Sequence, residues 1–501
     1  MSGYHFFAPT VFTMLSAALA LLLPLLMSYT LFVVGRRWWQ LKSRGLKFIF
    51  AGLIIFYFIL WFAFFPGFLG YDDGVSLTQV IKGRAWGWQS LTYSFFLSSG
   101  LILFGNVSWP ATACVGIFIY LLGKVFAWLD QFPLKPYKKV FLGILLAVLA
   151  AHPLNQGLLL YHSRDTLFSL VLVFLGLQLF AEKPPGFIKM VALTLILVAV
   201  GDLRQEAKIY LVLMPVLFCL LKKWGKRQLQ IFALVGVLFG LFYYRWLPKY
   251  FEVDSYSFAY QVTAYVLPLS QIFHEKTDAE ISPEIRADID RVFDVEKLRK
   301  YFNPLDIDPF HQGGFRYSTN AEEMGRFKAA AHKLFLQNPG LFLNNRYVLF
   351  KTMLNLGVPW PLFFMDTLRT EPERFPEFVK ALKLENNPYV LSPFEKRYVE
   401  ALSGSINNEI PLRRVFVSYM LPILFLGLCL LFVFWDPLMA AFALFIGIRL
   451  PVIFLLAPAS YLKYIYSLFL FFTFGLVIFL ARRWADKFPT ILDSKINESE
   501  S

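Results

Sequence analysis

Cysteine is scarce in this chain. Cys114, Cys219 and Cys429 all lie inside apolar runs, without metal-ligand spacing. They read as packing residues and exclude a cysteine-built metal site. Charge is sparse too: 16% of residues are charged against 57% hydrophobic, with a mean hydropathy of +0.55. The short alternating segments of a β-barrel are missing. No basic residue precedes the first apolar run, residues 10–34, whereas Arg36, Arg37, Lys42, Arg44 and Lys47 follow it. A cleaved signal peptide has the opposite layout, so the run reads as an uncleaved helix with its N-terminus outside. No internal repeat is visible, which argues against an inverted-repeat transporter.

The sequence does hold many apolar runs near the length of a membrane span, too many for a soluble protein of 501 residues. The net charge of +14 sits mostly in short loops between those runs, which is topology rather than a nucleic-acid footprint. The expectation is an all-α, polytopic helical bundle of about eleven transmembrane helices, with a mainly helical extracytoplasmic domain. Spans are expected at residues 10–34, 47–64, 109–128, 139–160, 166–181, 187–201, 209–222, 229–246, 414–434, 438–457 and 463–481. Residues 92–104 are apolar but short. Leaving them uncrossed keeps Lys135, Lys138 and Lys139 inside, so 75–104 become outer loop and interfacial helices with Trp86 and Trp88 at headgroup level.

The domains follow. Residues 1–246 form an N-terminal bundle with an acidic first outer loop at 65–108. Residues 247–412 hold no run that could span and read as an extracytoplasmic helical domain. Residues 413–484 hold the last helices, and 485–501 a polar cytoplasmic tail. The setting expected is a bacterial inner membrane, multi-pass, with the C-terminus cytoplasmic. Within 247–412, Ser282-Pro283 opens one helix, Asn320 caps another and Asn338-Pro339-Gly340 ends it.

Chemistry is expected where polar turns meet on the outer face. Asp72 and Asp73 follow a helix, between Pro66, Gly67, Gly70 and Gly74, which break it. Carboxylates are costly in hydrocarbon, so the pair belongs at the interface; it reads either as a site or as a polar loop. His162, Arg164 and Asp165 form a second turn, Asp202, Arg204, Glu206 and Lys208 a third, and Tyr461, Lys463 and Tyr464 a fourth. A carboxylate can accept the proton of an attacking hydroxyl, and Arg and Lys can hold a phosphate as it leaves. Each residue has a plainer reading. Arg204 and Lys208 could snorkel, Arg164-Asp165 could be an exposed pair, His162 could be a packing residue and Lys463 a topology determinant. Arg449, deep in the 438–457 run, needs a partner or a wet cavity, as a structural ion pair or as a ligand contact.

The order of these features resembles the GT-C glycosyltransferases, membrane enzymes that transfer sugars from polyprenyl-phosphate donors, in particular the protein O-mannosyltransferases and aminoarabinose transferases. The resemblance rests on Tyr71-Asp72-Asp73 in the first outer loop, on Leu103-Phe104-Gly105 before the next span, on Ser163-Arg164-Asp165-Thr166, on Arg204-Gln205-Glu206-Ala207-Lys208 and on Lys463-Tyr464. Two family features differ: Gln89-Ser90-Leu91-Thr92 stands where relatives have His-Pro-Pro, and their Lys-Gly-Pro is missing. The resemblance implies an inverting transferase with Asp72 as general base and Asp73 as its orienter or a metal ligand. Asp165 would bind acceptor, and Arg204, Lys208 and Lys463 the donor phosphate, with Arg164, His162 and Tyr464 also at the substrate. The cofactor is left open, with a divalent cation as the candidate. The implied partners are a polyprenyl-phosphate-linked sugar, a lipid, glycan or protein acceptor, and the bilayer, with no nucleic acid. The rival readings are a polysaccharide polymerase or ligase using diphosphate-linked glycans, a transporter or flippase of a lipid-linked anion, and an assembly factor binding through residues 247–412.

Overall fold

The computed structural model describes residues 11–65, 67–69, 71–84, 90–105, 107–181, 184–247, 257–316, 320–356 and 418–485. Expectations for 357–417, for the tail beyond 485 and for Trp86 and Trp88 fall outside these residues. Among the described residues, five helices are long and apolar enough to cross a membrane: Arg44–Ala63, Trp109–Gln131, Lys226–Trp246, Pro437–Leu456 and Leu462–Trp484. The bent pair Pro136–Ala150 and Pro153–Leu160 makes a sixth if taken as one span. The chain is a mostly helical, multi-pass membrane protein.

The expected bundle of about eleven crossings is therefore wrong, and the GT-C resemblance that implies such a bundle falls with it. For three of the expected spans the physical reason is helix length. Residues 166–181 form a helix of 13 residues, Arg164–Gly176, and then a 3-10 turn, Leu177–Phe180. The run at 209–222 holds the 11-residue helix Tyr210–Leu220, and 414–434 holds the 12-residue Met420–Leu431. A helix of 13 residues reaches about 20 Å, short of the roughly 30 Å hydrocarbon layer. Its apolar character reflects burial against protein: Arg164–Gly176 packs on Leu462–Trp484, Trp109–Gln131 and Phe187–Leu203. Leu170, Leu172 and Val173 are fully buried there.

The bend between the paired helices is 54°. Pro153, at the start of the second helix, has no backbone N–H to continue the ladder. The carbonyls this releases are caught by side chains. Asn155 Nδ2 donates to Leu149 O at 2.8 Å, Gln156 Nε2 to Ala151 O at 2.5 Å and Tyr57 Oη to Ala150 O at 2.6 Å. Tyr466 Oη in turn donates to Asn155 Oδ1 at 2.9 Å, so the last membrane helix holds the bend in place.

After the bend the chain runs into the strand β2 (Tyr161–His162), which pairs in parallel with β1 (Phe68–Leu69) in the register Phe68↔Tyr161 and Leu69↔His162. Gly67 precedes β1 with φ +104. A Cβ there would stand 2.6 Å from His162 Nε2 and 2.7 Å from Leu160 O, so only glycine fits both the conformation and the space.

The described part of 247–412 is helical: Ser257–Glu275, Pro283–Asp290, Val295–Lys300, Ala321–Gln337 and Pro339–Met353. Asn320 accepts from Glu322 N at 2.9 Å as an N-cap, and Pro283 occupies the first turn behind Ser282. Buried Arg346 ties this part to the bundle, donating to Ala457 O at 2.7 Å and to Ala264 O at 2.8 Å.

Candidate functional site

The parallel strand pair aligns the first two polar turns. In the sequence Asp72 lies three residues beyond Leu69 and Asp165 three beyond His162, the two paired strand positions. Each leads into a helix, Tyr71–Ile81 and Arg164–Gly176. Asp72 and Asp73 thus sit in the first turn of a helix that includes Gly74, not in a loop; their side chains lie outside the described residues. Ser163 caps the second helix, accepting from Asp165 N at 3.1 Å.

Asp165 and Arg204 form an ion pair of 2.5 Å with both side chains buried. Arg204 Nε lies 3.8 Å from Glu206 Oε1, and the same oxygen accepts from Arg449 Nη2 at 3.1 Å. The Arg204 guanidinium sits 4.5 Å over the Tyr464 ring, and that of Arg449 lies 4.4 Å over Phe168. Lys463 Nζ is 5.6 Å from the Tyr161 ring and 5.1 Å from that of Tyr461. Tyr461 Oη donates to Asp306 Oδ2 at 3.0 Å, and Ser460 N to Leu305 O at 3.1 Å. Residues 303–308 of the helical lobe therefore border the site.

Burial pushes the Asp165 carboxyl up, but the charges of Arg204, Arg164, Lys463 and Arg449 outweigh it and hold the group below the ordinary carboxylate range. Glu206 behaves the same way: burial raises it, and Arg204, Arg449 and Arg164 bring it down. Four cationic side chains thus act on Asp165, while Arg449 is 2% exposed, and among the described residues its Nε and Nη1 have no hydrogen-bond partner. Tyr210 Oη is likewise buried and has no hydrogen-bond partner among the described residues. Its ring packs 4.8 Å from Phe445, and Arg449 follows Phe445 by one helical turn. Glu206 precedes Tyr210 by four residues, so these elements meet in two successive contacts, Glu206 with Arg449 and Tyr210 with Phe445.

The structure brings together Arg164, Asp165, Arg204, Lys463 and Tyr464. His162 is fully buried at the strand pair behind them, against Gly67. Arg204 is not a snorkelling cation, being 6% exposed and ion-paired, and the local pair Arg164-Asp165 is buried rather than exposed. Lys208 stands apart: it is exposed, with Nζ 4.9 Å over Tyr244. Asp202 has a structural task, its Oδ2 accepting from Thr92 N at 2.7 Å in the first turn of Leu91–Phe104. The sequence leads one to expect Glu206 in the third turn and Arg449 as either an ion pair or a ligand contact, without the link between them; Tyr210 is not expected. A lone Arg deep in an apolar run signals that Arg449 needs a partner; Tyr210 carries no signal. Among the described residues no group of three or more His, Cys, Asp or Glu side chains could hold a metal ion.

No family model, no curated protein and no solved structure matches this chain.

Proposed function

We propose that the chain is a membrane glycosyltransferase that takes a sugar from a polyprenyl-phosphate donor and passes it to a lipid, glycan or protein hydroxyl on the extracytoplasmic side. The observation that carries this reading is Arg449, buried at the polar end of the bundle beside the Arg204–Asp165 pair, with two N–H-bearing nitrogens that have no partner among the described residues. A buried guanidinium left part-satisfied is costly unless an anion completes it. The cations around it exceed the two carboxylates they pair with, and a phosphate on a lipid tail reaches such a depth with its sugar still at the interface.

In this scheme Asp72 takes the proton of the attacking acceptor hydroxyl, with Asp73 beside it. The acceptor oxygen bonds to the anomeric carbon as the bond from that carbon to the phosphate oxygen breaks. The electron pair goes to the phosphate, where Arg449, Arg204 and Lys463 stabilise it. Binding tests the donor half of this scheme. Purified protein should retain polyprenyl phosphate and not the neutral polyprenol, and Arg449→Met should weaken retention about tenfold or more, the scale of one charge-assisted contact. Equal retention of phosphate and alcohol, or no effect of Arg449→Met in folded protein, would overturn it.

A further inference from the structure

The lobe helix Pro339–Met353 meets the bundle where a membrane span ends. It packs on Leu450–Leu456, the last stretch of the apolar helix Pro437–Leu456. The Phe350 ring stands 5.6 Å from that of Phe454, nearly at right angles to it. Arg346, one turn earlier, donates to Ala457 O at 2.7 Å, at the end of the span. Phe350 and Arg346 therefore mark the side of the helix that faces the span. Asn345, Leu349, Thr352 and Met353 are buried and continue that side into the lobe.

The arc beside Phe350 is exposed and apolar. By helical geometry Leu343 lies about 20° and Tyr347 about 60° around the axis from Phe350, on the side away from Arg346. Leu343 is 51% exposed and Tyr347 58%. Lys351 follows on the same arc, its Nζ turned back to 6.0 Å over the Tyr347 ring. On the span, Leu455 and Leu456 are exposed next to Phe454, and exposed side chains of a membrane-crossing helix face lipid. A helix standing in water would carry polar side chains on the arc that borders the span. Here the arc holds a leucine, a tyrosine and a lysine, residue types that settle together at the boundary of hydrocarbon and headgroups. It continues the lipid-facing surface of the span.

We infer that Pro339–Met353 is an interfacial helix whose Leu343 and Tyr347 insert into the phospholipid bilayer, with the Lys351 ammonium among the headgroups. The helical lobe then rests on the membrane instead of standing clear of it. This contact fixes the depth of the lobe beside the polar turns. Ala457, which Arg346 grips, lies three residues before Ser460, whose N donates to Leu305 O. The inference does not depend on the sugar-transfer reading.

The test is spin labelling of the full chain in phosphatidylcholine nanodiscs. The background is Cys219→Ala, since Cys114 and Cys429 are buried, and that background alone is the labelling blank. A nitroxide is attached to Leu343→Cys, to Tyr347→Cys and, as a water-facing control, to Ala287→Cys on Pro283–Asp290, an exposed position. Collisions are read with oxygen, which concentrates in hydrocarbon, and with a water-soluble nickel chelate. The ratio of oxygen to nickel collisions should be several-fold higher at positions 343 and 347 than at 287. A ratio equal to that at 287 would overturn the inference. Exclusion of both reagents at 343 and 347 would mean that protein covers the face, and would overturn it too. Spin–spin broadening at these positions would give the face to a second copy of the chain, with the same consequence. Should Leu343→Cys fail to fold, Tyr347→Cys carries the comparison.

Discussion

Arg449 Nη2 donates to Glu206 Oε1 at 3.1 Å, joining positions 243 residues apart. This bond closes the bundle around the polar turns, because Glu206 also faces Arg204 and Arg204 pairs with Asp165. Breaking one partner of such a buried pair costs about 3–5 kcal/mol, whereas replacing both by apolar groups costs far less. Glu206→Leu alone should therefore lower the unfolding midpoint sharply, and Glu206→Leu with Arg449→Met should recover most of the loss. A thermal double-mutant cycle in detergent measures it; purely additive losses would dissolve the pair as a unit.

Gly67 makes a second prediction. Gly67→Ala meets φ +104 and a Cβ position 2.6 Å from His162 Nε2. Left-handed strain of about 1–2 kcal/mol adds to the clash. The variant should lose stability by more than ~2 kcal/mol on that basis. Combining it with His162→Ala should restore only part of this, because Leu160 O remains 2.7 Å from the new methyl. Denaturant or thermal unfolding of the three proteins checks the order.

Part of this arrangement was legible in the sequence. His162, Arg164, Asp165, Arg204, Lys463 and Tyr464 interrupt apolar runs, and each interruption marks a helix end, so their convergence at one end of the bundle could be anticipated. Arg449 stood out because an arginine deep in an apolar run demands a partner. What could not be read was whether an apolar run crosses a membrane or lies buried among other helices, since Leu170 and Val173 look alike in both settings. The strand pair also escaped notice: two residues of Phe-Leu and Tyr-His have no periodicity to detect. The identity of Arg449's partner is a matter of tertiary packing, and nothing local to either residue announces it.

The bend at Pro153 should depend on Asn155. Asn155→Leu removes the donor to Leu149 O and the acceptor for Tyr466 Oη. The buried Tyr466 hydroxyl is left without its acceptor, at about 1–3 kcal/mol, and Leu149 O keeps only the longer bond from His152 N at 3.3 Å. A fall in the unfolding midpoint larger than that of Tyr466→Phe is expected, because Tyr466→Phe removes the donor itself. Equal midpoints would mean that Asn155 does not hold the bend.

Asp165 and Glu206 predict a pH profile. Both carboxyls are held below their ordinary values by neighbouring arginines despite burial. A depressed carboxylate stabilises the fold above its unfolded pKa, about 4 for these groups, and loses that contribution as pH falls through the folded value. The unfolding midpoint of wild type should then hold steady from neutrality to about pH 5 and drop below about pH 4. Asp165→Asn should start lower at neutral pH and fall less steeply. A midpoint already falling between pH 7 and pH 5 would contradict the shifts.

The most direct measurement is sugar transfer itself. Purified wild type and Asp72→Asn, both shown to be folded, would be incubated with a panel of radiolabelled polyprenyl-phosphate sugars and host membranes as acceptor. The prediction is that wild type consumes one donor and Asp72→Asn consumes none. Equal consumption by both would leave a transferase but remove Asp72 as its base. No consumption of any donor by folded wild type would contradict the transferase reading.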